Sequence, residues 1–136
     1  MRLLLVEQDM PQAITTSVLV IDHNPILLEG ITFLISTEPD LTLAGAENNL
    51  QDGLALALKK RADCVIIDLD LHPAAGYEVL NSIRKADPTA GIIGLITYEL
   101  DDRVSEALAA GASAVLGKDQ ISQALVELIR KTARLK

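Results

Sequence analysis

Apolar residues along this chain follow two alternating patterns, and the alternation predicts its architecture. Short runs of strand length, mostly β-branched, occur at Val18-Leu19-Val20-Ile21, Leu41-Thr42-Leu43-Ala44, Cys64-Val65-Ile66-Ile67, Ile92-Ile93-Gly94-Leu95-Ile96 and Ala114-Val115-Leu116. Between them lie helical stretches at 25–36, 50–61, 76–86, 101–110 and 121–134. In the first, Asn24 is suited to cap the helix and Pro25 to open it, because the N–H that proline lacks has no partner there. Leu27, Ile31, Leu34 and Ile35 then recur on one face of a 3.6-residue period. The last stretch sets Ile121, Leu125, Leu128 and Ile129 on one side and ends in Arg130, Lys131 and Arg134, cations that complement a helix dipole.

Five strands alternating with five helices predict an α/β fold with a parallel sheet, since parallel strands need crossover connections that place helices on both faces. A length of 136 residues is one domain's worth. The pattern puts that domain at 17–136 and leaves 1–16 as an N-terminal extension. Within the extension, Leu3-Leu4-Leu5-Val6 suits an added edge strand, a segment paired with another copy, or a poorly ordered terminus without chemistry.

Composition narrows the function classes. Apolar residues make up 49% of the chain and aromatics only 2%, so the core must be aliphatic. A formal net charge of −7 repels phosphate backbones, which argues against direct nucleic-acid binding by this chain and assigns any DNA contact to another domain. The apolar run before Glu7 is too short for a signal-peptide core or a membrane span. Cys64, inside an apolar run, reads as a buried small hydrophobe in a reducing compartment. A cytoplasmic protein is expected.

In an open parallel sheet, ligands bind outside the carboxyl ends of the strands, so polar residues directly after apolar runs carry the candidate chemistry. Ile21 is followed by Asp22-His23, Ile67 by Asp68-Leu69-Asp70, Ile96 by Thr97, and Gly117 by Lys118. These residue types suit phosphoryl chemistry. A carboxylate nucleophile becomes an acyl phosphate, a hard divalent cation on oxygen ligands neutralises phosphate charge, and an ammonium and a hydroxyl stabilise the phosphate oxygens. The expected roles are nucleophile for Asp68, metal ligand for Asp22, counter-ion for Lys118 and hydroxyl donor for Thr97.

At these residues the chain resembles the receiver domains of bacterial two-component response regulators, over roughly 17–134. The matching segments are VLVIDHNPILLEGI (18–31), ADCVIIDLDL (62–71), GLITYELDD (94–102) and EALAAGASAVLGKD (106–119). Pro25 and the Glu29-Gly30 pair are similar to the LuxR-type subfamily. The resemblance implies a flavodoxin-like three-layer sandwich with strand order 2-1-3-4-5, and Mg²⁺-dependent phosphorylation of Asp68 by a histidine kinase or phosphotransfer protein. It also implies a role in transcription regulation through an output domain or partner. Asp70 would give its backbone carbonyl to the metal, and its side chain would control water access.

Three departures qualify that reading. The second acidic position after the first strand is His23, a poor Mg²⁺ ligand that suits softer transition metals, so a weakened Mg²⁺ site is expected. The family's proline after the third strand is His72, with Pro73 one place later. The aromatic switch position, three residues before the lysine, is Val115, which has no aromatic ring to swing. These departures keep open a phosphorylation-independent pseudo-receiver that acts by dimerisation or partner binding, with Ala107-Leu108-Ala109-Ala110 and the final helix as candidate homodimer faces. A remote alternative is a haloacid-dehalogenase-like phosphatase, suggested by Ile66-Ile67-Asp68-Leu69-Asp70. It lacks the acidic pair such enzymes carry beyond the lysine, and the chain is too short for a substrate cap, so an enzyme is not expected.

Overall fold

The computed structural model describes residues 14–97 and 101–135, so most of the extension, including Leu3 to Val6, lies outside the described residues. In chain order the elements are β1 (Thr16–Ile21), α1 (Pro25–Ser36), β2 (Leu41–Glu47), α2 (Leu50–Lys60), β3 (Cys64–Asp68) and α3 (Pro73–Ala86). They continue with β4 (Gly91–Ile96), α4 (Asp101–Ala110), β5 (Ala114–Gly117), a 3-10 turn at Lys118–Gln120 and α5 (Ile121–Thr132). The five strands form one parallel sheet in the order β2-β1-β3-β4-β5. The chain reverses its direction of winding between β1 and β3, which opens a crevice at their carboxyl ends.

Strand alternation divides the core in two. Leu19, Ile21, Val65 and Ile67 pack with Ala57, Leu80, Ile83 and Ala107 from α2, α3 and α4, while Val18, Val20, Cys64 and Ile66 pack with Ile31, Ile35, Leu125 and Ile129 from α1 and α5. Cys64 is buried as expected, and burial pushes its thiol up to about 12, so it stays neutral and inert. Of the residues proposed as dimer faces, Ala107, Leu125 and Ile129 are fully buried in this core, while Leu108 is 47% exposed. Among the described residues, no helix is long and apolar enough to cross a membrane.

Several boundaries differ from the sequence pattern by one or a few residues, and three of them have a clear physical reason. Helix α3 starts at Pro73 rather than at 76, because proline occupies the first turn without losing a bond; its buried face begins only with Gly76, Val79 and Leu80. Strand β2 runs past Ala44 to Glu47 through a bulge, with pairing that steps from Val18–Leu43 to Leu19–Gly45 and so breaks the alternation. Thr16, assigned to the extension by the pattern, pairs with Leu41 as the first residue of β1.

Helix α5 ends at Thr132 rather than at 134, and the cations at and just beyond its end do more than complement its dipole. Arg130 pairs with Glu38 (2.7 Å) and Asp40 (2.9 Å) across the α1–β2 connection. Arg134 closes the amino edge of the sheet. Its guanidinium donates to Asp87 (2.5 and 2.8 Å), Asp63 (3.2 Å), Thr89 (2.8 Å) and the Ala62 carbonyl (2.8 Å). Asp63 also accepts from the backbone N–H of Ser17 at 2.8 Å, which ties α5 to both β1 and β3. Asp63 and Asp87 are only 5% and 6% exposed, so losing Arg134 would take the nearest cation from two buried carboxylates, with Arg61 remaining 3.5 Å from Asp87.

Arg134→Ala should therefore lower the unfolding free energy by about 3 kcal/mol in urea denaturation. The Arg134 hydrogen bonds outweigh burial and hold the Asp87 carboxyl at about 2, against its ordinary 3.8. A carboxyl depressed by folding stabilises the native state above its unfolded value and loses that contribution as pH falls towards 2. Between about pH 5 and 2, wild-type stability should fall by about 2 kcal/mol more than that of Arg134→Ala. Parallel pH profiles for the two proteins would exclude the linkage.

Candidate functional site

The carboxyl edge of the sheet gathers four strand ends that are far apart in the chain. Asp22 follows β1, Asp68 ends β3, Thr97 follows β4 and Lys118 follows β5. Asp22 is fully buried; its Oδ1 accepts from the Asn24 backbone N–H at 2.8 Å, the turn that leads into the Asn24-capped helix α1. Asp68 is 7% exposed. Its Oδ1 accepts from Lys118 Nζ at 2.8 Å and from the Asp70 backbone N–H at 3.0 Å, while its Oδ2 contacts His23 Nδ1. Lys118 also lies 2.9 Å from Asp70 Oδ2 and 3.8 Å from Asp22 Oδ2. The carboxylates and the cation thus share one pocket, as their strand-end positions predicted.

Thr97 reaches this rim, yet its hydroxyl bonds Asp70 rather than Asp68. The Thr97 Oγ1 donates to Asp70 Oδ2 at 2.5 Å and its backbone N–H to Asp70 Oδ1 at 3.0 Å. The structure adds a residue that the sequence reading missed. Arg103, on α4, donates from Nη2 to the Leu69 carbonyl at 2.6 Å and to Asp70 Oδ1 at 3.3 Å. Its one available signal was isolation: it is the sole Lys or Arg between Lys85 and Lys118. Val115 lies half-buried on β5 and packs against the core on the α2–α4 side.

Burial sets the electrostatics. It pushes the Asp22 carboxyl up from the usual range, and the Asn24 N–H offsets only part of that. Burial opposes the charge on Asp70 too, but hydrogen bonds from Lys118 and Thr97 overcome it and hold the group at about 2. For Lys118, burial favours the neutral amine, and the bonds to Asp68 and Asp70 reverse that, so its pKa is raised and it remains an ammonium.

The donor set also fits a divalent cation. Asp22, His23 and Asp68 each present a ligand atom, all within 4.8 Å of one another, and the buried Asp22 Oδ2 has no hydrogen-bond partner. Two carboxylates suit Mg²⁺, whereas an imidazole nitrogen in place of a third oxygen favours a first-row transition metal. Beside these groups lies a cleft of about 370 Å³, lined by Ile21, His23, Asn49, Asp68, Leu71 and His72 among others. It opens at the crevice between β1 and β3.

This fold and this arrangement of acids and lysine define a class, and comparison with known proteins agrees: the chain belongs to the response regulator receiver domain family, whose profile matches residues 18–130. The relatives are of LuxR type. The chain is 31% identical over 113 residues to the uncharacterized transcriptional regulatory protein YxjL of Bacillus subtilis, covering 83% of this chain and 52% of that one. It is 30% identical over 117 residues to the nitrate/nitrite response regulator protein NarL of Escherichia coli K12, covering 86% of this chain and 54% of NarL. A LuxR-family DNA-binding response regulator from Staphylococcus aureus superposes with a TM-score of 0.78 at 25% identity, over 86% of this chain and 98% of that one. The chain spans about half the length of the curated relatives it matches.

If His23 is a ligand, Co²⁺ should bind at least about tenfold more tightly than Mg²⁺, and His23→Asp should shrink that ratio by about tenfold. Calorimetric titration with each ion measures both. Equal ratios in the two proteins would remove His23 from the ligand set.

Proposed function

We propose that this chain accepts a phosphoryl group on Asp68 from a histidine kinase or phosphotransfer protein and passes the change to an output domain or partner, acting in the cytoplasm. The observation that carries the reading is the Lys118 ammonium, 2.8 Å from an Asp68 carboxylate at the open end of the central strand. A nucleophilic carboxylate requires that its charge be kept and that a cation meet the incoming phosphate. In the step itself, an Asp68 oxygen forms the new O–P bond as the P–N bond of the phosphohistidine breaks, and the departing imidazole takes the electron pair and a proton. Lys118 and Thr97 receive the phosphoryl oxygens. Asp22, His23, Asp68 and the Asp70 backbone carbonyl would hold a divalent cation, which when bound neutralises phosphate charge.

The chemistry modifies the chain's own side chain and turns over no metabolite. Since the relatives are about twice as long, a DNA-binding output domain outside these residues fits the proposal. Val115 has no ring to exchange between buried and exposed positions, so a signal leaving the site must travel by other contacts, and Arg103 is one that joins the site to α4.

Incubation with phosphoramidate and either Mg²⁺ or Co²⁺ should add the mass of one phosphoryl group. Asp68→Asn should abolish the addition and Lys118→Ala should slow it by about a hundredfold. If no mass is gained with either ion, the phosphoacceptor reading fails and the phosphorylation-independent interaction module takes its place.

A further inference from the structure

The carboxylate of Asp70 is gripped from three separate elements. Thr97 donates to it through both its backbone N–H (3.0 Å) and its hydroxyl (2.5 Å), Lys118 approaches Oδ2 at 2.9 Å, and Arg103 approaches Oδ1 at 3.3 Å. Arg103 is itself anchored by the Leu69 carbonyl at 2.6 Å. Two of these three residues, Thr97 and Lys118, are the ones assigned above to the phosphoryl oxygens. A carboxylate and a phosphoryl group ask for the same donors: the single Thr97 hydroxyl proton cannot serve both at once, and Lys118 already turns two of its three N–H groups to Asp68 and Asp70.

We infer that Asp70 is an internal anion that competes with the phosphoryl group for the Thr97–Lys118–Arg103 cradle and so sets the affinity of the site for phosphate. The inference rests on the phosphoacceptor reading of Asp68. Entry of a phosphoryl group requires the Asp70 side chain to leave, and its partial exposure at the rim gives it water to leave into. Its departure frees Arg103 on two counts: the guanidinium loses one partner, and it stands within reach of the anion that replaces it. Asp70 is thereby a specificity residue, selecting against weakly charged anions that cannot displace a carboxylate.

The rival account makes Asp70 a brace that holds Thr97 and Lys118 ready for phosphate, and it predicts the opposite sign. Beryllofluoride is the probe, titrated at saturating Mg²⁺ into ¹⁵N-labelled protein and followed at the Thr97 and Gly117 amides. Asp70→Ala should lower the half-saturating concentration by about tenfold with full occupancy unchanged, and Asp70→Asn, which keeps the shape, should give a smaller shift in the same direction. Adding Arg103→Gln to Asp70→Ala should return part of the gain. In the protein without beryllofluoride, Asp70→Ala should speed hydrogen exchange at the Thr97 amide by about tenfold, a readout independent of phosphate. Unchanged or weaker beryllofluoride binding in both Asp70 variants, with wild type still binding, overturns the inference and leaves Asp68 as the acceptor. Failure of wild type and variants alike to bind beryllofluoride and to take phosphoryl from phosphoramidate overturns both.

Discussion

One ammonium among three carboxylates is the constraint from which the carboxyl edge of this protein is built. Lys118 stands 2.8 Å from Asp68, 2.9 Å from Asp70 and 3.8 Å from Asp22. Acids this close repel one another, and a buried carboxylate without a cation protonates instead of staying ionised. Even with Arg103 against Asp70 at 3.3 Å, two cations do not neutralise three carboxylates, so the site is left with an excess of negative charge that favours a further cation. Asp22 Oδ2, which has no hydrogen-bond partner, and the nearby His23 imidazole would offer that cation ligand atoms.

Such a cluster is held in place by the packing of the rest of the molecule. Two aliphatic cores, one on each face of the sheet, fix the strands that deliver the four residues, and the chain has almost no aromatic mass with which to do so. The opposite edge supplies a second electrostatic lock. There Arg134 satisfies Asp63, Asp87 and backbone carbonyls at once, joining the last helix to the amino ends of the strands. The two edges show the same chemistry put to opposite uses. At the amino edge a bidentate guanidinium and two buried acids are mutually satisfied, a closed arrangement that stabilises. At the carboxyl edge the carboxylates outnumber the cations and a cleft lies beside them.

Membership of the receiver family explains the scaffold, and the departures explain what is particular to this chain. His23 stands where the family has a second acidic residue, and Val115 stands where it has an aromatic ring. Arg103 then gains a role: its guanidinium reaches both the Leu69 carbonyl and Asp70, so the site is mechanically joined to α4 through a charged group rather than through an aromatic switch.

Much of this was open to reading from the residues. Runs of Val, Ile and Leu alternating with helical stretches determine a parallel sheet covered on both faces, because the period of the apolar positions leaves each segment one way to bury itself. Polar residues directly after those runs must then lie on a common rim, which is why Asp22, Asp68, Thr97 and Lys118 were legible together. Tertiary structure alone decided the pairing. That Thr97 bonds Asp70 instead of Asp68, that Arg103 enters the site, and that Arg134 holds Asp63 and Asp87 depend on side chains tens of residues apart meeting within about 3 Å. Local sequence encodes burial and direction along one element, whereas the partner of a polar atom is chosen among all elements at once by packing.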